Sequence, residues 1–251
     1  MIDPYSDKQT STGSLLVNAS VLSSLTQNWA SEGYQVNIHA IGDLANRLAI
    51  DAFEITLKLQ CPDITSLKQC QQDKFRFRIE HAQIIHPDDQ RRMFELGIIP
   101  SIQPTHATSD MGYAQSRLGV KRTAEEAYRM QSLLPLRPVL GSDFPVEPAS
   151  IFEGIYAATT RRSPRTGLDP NGGKDGWYPE EAISVDEALK GFTMNPAYGA
   201  FQDGNAGVIK EGAWADWIVL DQPLEGLDLE DLRKITVRET WVGGKLVYRR
   251  V

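Results

Sequence analysis

Four short apolar runs, at 34–40, 76–82, 98–103 and 138–142, constrain this chain more than any other feature, because most are followed by a helical pattern. Strands that alternate with helices lie parallel and are joined by right-handed crossovers. Residues 20–32 place Val21, Leu25 and Trp29 at helical spacing, with Ser20 as N-cap and Gly33 as the stop. Residues 43–59 place Leu44, Leu48, Ala52, Ile55 and Leu59 on one face. Pro87 opens a short helix that Gly97 closes. A long excursion, 105–136, carries a helix near 123–132, and two more helices are predicted near 150–161 and 184–194.

The pattern changes near residue 203. Short β-like runs surround Glu211-Gly212, and "TWVGGKLVYRR" is a hairpin signal in which Gly243-Gly244 supplies two positive-φ positions. The expected organisation is an α/β part over 1–202 and an antiparallel β segment over 203–251.

Composition removes several classes of partner. A net charge of −7 over 251 residues, without a basic run, argues against nucleic acid and against an anionic membrane surface. No apolar run is long enough to cross a bilayer, and the N-terminus lacks the pattern of a secretory signal. The two cysteines, Cys61 and Cys70, do not form a metal motif. They read most simply as reduced surface thiols of a cytoplasmic protein, with a disulfide as the alternative.

Chemistry concentrates at strand ends. His39 ends the first run, His81 the second and Asp143 the fourth. In a parallel α/β sheet or barrel those ends share one face, where active sites are built. Three metal-competent side chains on rigid, apolar strands therefore read as a site. Glu80 should point away from His81 by strand alternation. Asp43 reads as a helix N-cap and His86 as a structural residue at a helix start. Trp217 and Trp241 read as packing, and Arg161, Arg162 and Arg165 as a solvated loop.

The segments "HAIGD", "RIEHAQ", "PSIQPTHATSD" and "GSDFPVEP" resemble the second half of the amidohydrolase superfamily barrel. The branch is similar to the N-substituted formamide deformylases, within amidohydrolase family 3, and the resemblance covers nearly the whole chain. It implies an α/β fold: strands five to eight of a (β/α)₈ TIM barrel, with a C-terminal antiparallel piece of a side sandwich. It also implies metal-dependent hydrolysis of amide or formamide carbon–nitrogen bonds through a metal-bound hydroxide. On this resemblance His39 and His81 are metal ligands, Asp143 is both proton carrier and ligand, and His106 lies near a small-molecule substrate. The implied cofactor is a divalent metal, zinc. Neutral imidazoles suit zinc and leave a position for water, whose pKa the metal lowers to about 7. A neighbouring carboxylate can then carry the proton to the departing amine.

The family pattern also calls for a His-x-His pair on its first strand and a lysine or glutamate on its fourth. With His39, His81, His86 and His106 as its four histidines, the chain has no such pair. It is therefore expected to correspond to a C-terminal half. Four strands do not close a barrel, so the inward apolar face should need cover from an N-terminal half or from a second copy in a homodimer. Two other readings stand beside the amidohydrolase: an inactive half-barrel or interaction module, and a hydrolase of lactones or phosphoesters.

Overall fold

The computed structural model describes residues 1–62 and 66–251. In chain order the first elements are α1 (Ala19–Ser31), β1 (Asn37–Ala40), α2 (Asp43–Gln60), α3 (Leu67–Cys70), β2 (Arg78–His81), α4 (Pro87–Leu96) and β3 (Ile99–Ile102). Then come α5 (Pro104–Asp110), α6 (Ala114–Leu118), α7 (Val120–Glu126), β4 (Val139–Leu140) and α8 (Ile151–Thr160). The chain continues through α9 (Val185–Phe192), α10 (Met194–Gly199), β5 (Trp217–Leu220), β6 (Val237–Val242) and β7 (Lys245–Arg249). Two compact units result: residues 1–102 with 110–138, and residues 103–109 with 139–251. The protein is α/β, with parallel strands and a separate antiparallel sheet.

In the first unit β1, β2 and β3 pair side by side in parallel, with Ile38 opposite Ile79 and Ile79 opposite Pro100. Ile38, Ala40 and Ile79 are buried, and β1 packs against α2. The other face of β1 and β2 carries Asn37, His39, Arg78 and Glu80, by register and alternation. On these two strands the face expected to be apolar is therefore polar.

Helix α2 turns a different side inward from the one its spacing suggested. Ala49, Ile50, Phe53 and Leu57 are among its buried residues; of the expected face Ala52 is buried too, whereas Ile55 and Leu59 are exposed. Phe53 stacks on Phe77, with ring centroids 4.7 Å apart. Helix α1 meets α2 through the small residues Thr26 and Ala30, and leaves Val21, Leu25 and Trp29 exposed. Spacing shows which residues share a face, but not which face meets a neighbour. Asn18, not Ser20, caps α1, its side chain accepting from the Ser20 N–H at 2.9 Å. Asp43 is the first residue of α2, not its cap; its carboxylate accepts the N–H groups of Ile2 and Leu44.

Helix α4 follows its sequence signals. Pro87 is at the first turn, the ring of His86 accepts from the Asp88 N–H at 3.2 Å, and Gly97 ends the helix at φ 73°. His86 is thus a capping residue. Arg92 ties α4 to α2, with ion pairs to Asp51 and Glu54 at 2.7 Å and to Asp89 at 3.0 Å. Lys58 and Arg92, donating to Glu54, hold its carboxyl below the usual value of 4.5. A depressed carboxylate contributes stability above its unfolded pKa and loses it as pH falls through the folded value. The thermal midpoint should therefore decline from about pH 5 toward about pH 3, with a shallower decline in Glu54→Gln. Melting curves across that range measure the difference; parallel profiles would contradict it.

The cysteine reading is overturned. Cys61 and Cys70 form a disulfide with Cα atoms 6.5 Å apart, and both are buried. The ends of α2 and α3 converge there, within disulfide reach. The inference of a reducing compartment from free thiols loses its basis. No helix of the described residues is long and apolar enough to cross a membrane.

The second unit contains α5 up to Ser109, β4, α8, α9, α10 and the antiparallel strands. Ser184 and Glu187 form a reciprocal capping box on α9. Farther along that helix, a Cβ at Gly191 would stand 2.5 Å from Leu140 Cδ1, so α9 lies tight against β4. Of the arginines after α8, Arg165 is exposed as expected, but Arg161 and Arg162 are not solvated. Arg161 is fully buried and donates to the Trp177 carbonyl at 2.9 Å, while Arg162 donates to Glu230 at 2.7 Å. Desolvated guanidinium groups here pin the loop after α8 through hydrogen bonds to backbone and carboxylate oxygens. Strands β5, β6 and β7 pair antiparallel, with Trp217 and Trp241 as register partners stacked 5.4 Å apart. Gly243 at φ 57° and Gly244 at φ 72° form the expected turn between β6 and β7.

Candidate functional site

The strand ends of the first unit bring His39 and His81 together. Their ring centroids are 4.4 Å apart, edge to face. Regular alternation would not do this. In register His39 lies opposite Glu80, while His81 lies opposite Ala40, so straight strands would send the two imidazoles to opposite faces. His81 instead takes φ 74°, and Ala82 follows at φ 45°. Left-handed residues without glycine cost on the order of 1–3 kcal/mol each and persist where the surroundings hold them. Here the backbone reversal sets the His81 ring against that of His39. Glu80 shares His39's face, but its carboxylate accepts from Arg78 Nε at 2.6 Å.

The loops beyond the strands are held firmly. Asn46, fully buried in α2, donates to the carbonyls of Gly42 and Ile84, both at 3.0 Å. Ile84 N–H donates to the Ile41 carbonyl and Tyr128 N–H to the Gln83 carbonyl. Asp110 accepts from the hydroxyls of Tyr113 and Tyr128 and from Gln83 Nε2 at 3.3 Å. Burial, then the bond to Asp110, pushes the Tyr113 phenol up to about 12. Burial and the Asp110 charge raise Tyr128 further. Both hydroxyls stay protonated near neutrality and act as donors. Sequence reasoning missed this network. Its only trace was Asp110 at the end of the "HATSD" segment.

In the second unit α5 carries His106, which is largely buried, and the end of β4 leads to Asp143. His106 Nε2 is 3.9 Å from Asp143 Oδ2, and the Asp143 side chain is 42% exposed. Asp143 is also left-handed, at φ 58°, and its carbonyl accepts the Val146 N–H at 2.9 Å. Two candidate residues thus meet in each unit: His39 with His81, and His106 with Asp143. Imidazole and carboxylate are the donor types that zinc-like divalent cations take, and the donor chemistry of both pairs fits such an ion. A partly exposed carboxylate beside an imidazole can also accept and relay a proton.

Comparison with known proteins bears on this arrangement. A model described as the Amidohydrolase family matches residues 3–248. The chain is 33% identical over 249 residues to Protein LONG AFTER FAR-RED 3 of Arabidopsis thaliana, covering 98% of this chain and 40% of that protein. It is 28% identical over 220 residues to N-substituted formamide deformylase of Arthrobacter pascens, covering 87% and 37% of the two chains. A solved structure, an uncharacterized metal-dependent hydrolase from Pyrococcus furiosus, is similar with a TM-score of 0.67 at 29% identity, over 85% of this chain and 39% of that one. The chain spans well under half the length of these relatives.

Proposed function

Because the chain belongs to the amidohydrolase family, we propose that it acts as part of a metal-dependent hydrolase of amide or formamide carbon–nitrogen bonds. We assign His39, His81 and Asp143 as the ligands of a divalent cation, zinc, with Asp143 also as proton carrier and His106 as a substrate contact. The observation that carries the reading is the His39–His81 pair. Two imidazoles from adjacent parallel strands stand 4.4 Å apart because the second strand leaves its regular path.

Bound zinc supplies Lewis acidity toward a carbonyl and toward water. The chain's own groups do the rest. Rigid strand ends hold the two imidazoles, so little conformational entropy is lost on binding. The exposed Asp143 carboxylate takes the proton of the attacking water and delivers it to the departing amine. His106 Nε2 faces that carboxylate across 3.9 Å. Within the same proposal, β1 to β4 are strands five to eight of a (β/α)₈ barrel, and residues 203–251 are part of a side sandwich. An N-terminal half or a second copy completes the barrel.

The test is a substrate panel of N-substituted formamides, other amides, lactones and phosphoesters, offered to the zinc-loaded chain with and without the missing half supplied in trans. Turnover confined to the amides and formamides is expected. Turnover of lactones or phosphoesters alone would move the assignment to that chemistry, and no turnover in either state would favour an interaction module.

A further inference from the structure

The first unit contains a cleft of about 410 Å³, within the usual range for small-molecule sites. One wall is the N-terminal segment, which is firmly placed. Arg122 donates to the carbonyls of Asp3 and Pro4 at 3.1 and 2.7 Å, Ser6 N–H donates to the Arg117 carbonyl at 2.7 Å, and Arg117 pairs with Asp7 at 2.6 Å. Ile41, Ile84 and Leu118 line the cleft with apolar surface, and Tyr5, Tyr113 and Tyr128 add aromatic edges. Ile41 and Ile84 follow His39 and His81 closely in the chain, just beyond the strand ends.

The charges around it favour one sign. Asp110 is the carboxylate of the lining, and it already accepts from two phenols and an amide. These donors are neutral, so its oxygens are occupied while its single negative charge remains. Lys8 and Arg117 are the lining cations. Arg117 is matched by Asp7, whereas Lys8 has no carboxylate partner among the described residues.

We propose that this cleft binds a small organic anion, with its carboxylate at Lys8 and an aryl or branched apolar body against the isoleucines and tyrosines. As the subsite for one end of a substrate this rests on the hydrolase reading; as a binding site it does not. The assignment predicts a substrate that carries a carboxylate on an apolar body.

Calorimetric titration of the metal-free chain with phenylacetate, benzyl alcohol and benzylamine tests it separately from turnover. These probes share a benzyl group and differ in charge. Phenylacetate should bind about five- to tenfold more tightly than either of the others. Lys8→Met should remove that preference while benzyl alcohol binds as before, and Lys8→Glu should reverse it toward benzylamine. Equal affinities, no binding of any probe, or a preference that survives Lys8→Met would overturn the site, whatever the substrate panel shows. Lys8 donates no side-chain hydrogen bond within the described residues, so both variants should melt with the wild type. A variant that does not is replaced by acetylated Lys8, which removes the charge and keeps the stem.

Discussion

On the proposed metal assignment, replacing His81 with alanine should lower zinc affinity by at least about 100-fold, and His39→Ala should do the same. Loss of an outer-shell partner alone typically costs about 10–100-fold in metal affinity, and these residues are assigned as direct ligands. The two rings are neighbours at 4.4 Å, so removing either leaves the other without its companion donor. Glu80→Gln is the matched control. Glu80 sits on His39's face, but Arg78 holds its carboxylate at 2.6 Å, so zinc binding should change little. Zinc content after dialysis, with calorimetric titration of each variant, reads all three. Wild-type zinc content in both histidine variants would remove the metal assignment, whereas a loss in Glu80→Gln alone would move the ligand to that carboxylate.

Phe53→Ala should be the most destabilising single truncation in the first unit, at about 3–5 kcal/mol. Phe53 is fully buried in α2 and stacks on Phe77, which in turn stacks on Phe75 at 4.8 Å. Removing the ring leaves a cavity beneath the strands, and the loss is a large part of a typical domain stability of about 5–15 kcal/mol. Ile55→Ala on the same helix should cost about 0.5 kcal/mol or less, because Ile55 is 44% exposed. Urea denaturation of both variants decides between the two sides of α2. Comparable losses would mean that the helix is turned differently about its axis.

That comparison shows what kind of information the residues carried. The alternation of strands and helices, the α4 signals at His86, Pro87 and Gly97, and the Gly243-Gly244 turn were legible because each depends on local backbone chemistry. The side of α2 that turns inward was not, because Leu44, Leu48, Ala52, Ile55 and Leu59, of which only Ala52 is buried, satisfy helical spacing as well as Ala49, Ile50, Phe53 and Leu57 do. The meeting of His39 with His81 followed from their places at strand ends, yet the reason for it, a left-handed backbone at His81, breaks the alternation that sequence reasoning relies on. The disulfide and the buried Arg161 and Arg162 escaped for a related cause. Polar surroundings in the sequence suggested solvent, and long-range packing placed these groups inside.

The tight seat of α9 on β4 has a consequence for how the protein can drift. With a hydrogen at position 191 the helix settles against Leu140; any side chain there must displace the Leu140 side chain or part the helix from the strand. That strand leads directly to Asp143. A residue remote from the chemistry is thereby bound to the fate of the carboxylate, and alanine at 191 would perturb the acid without touching it.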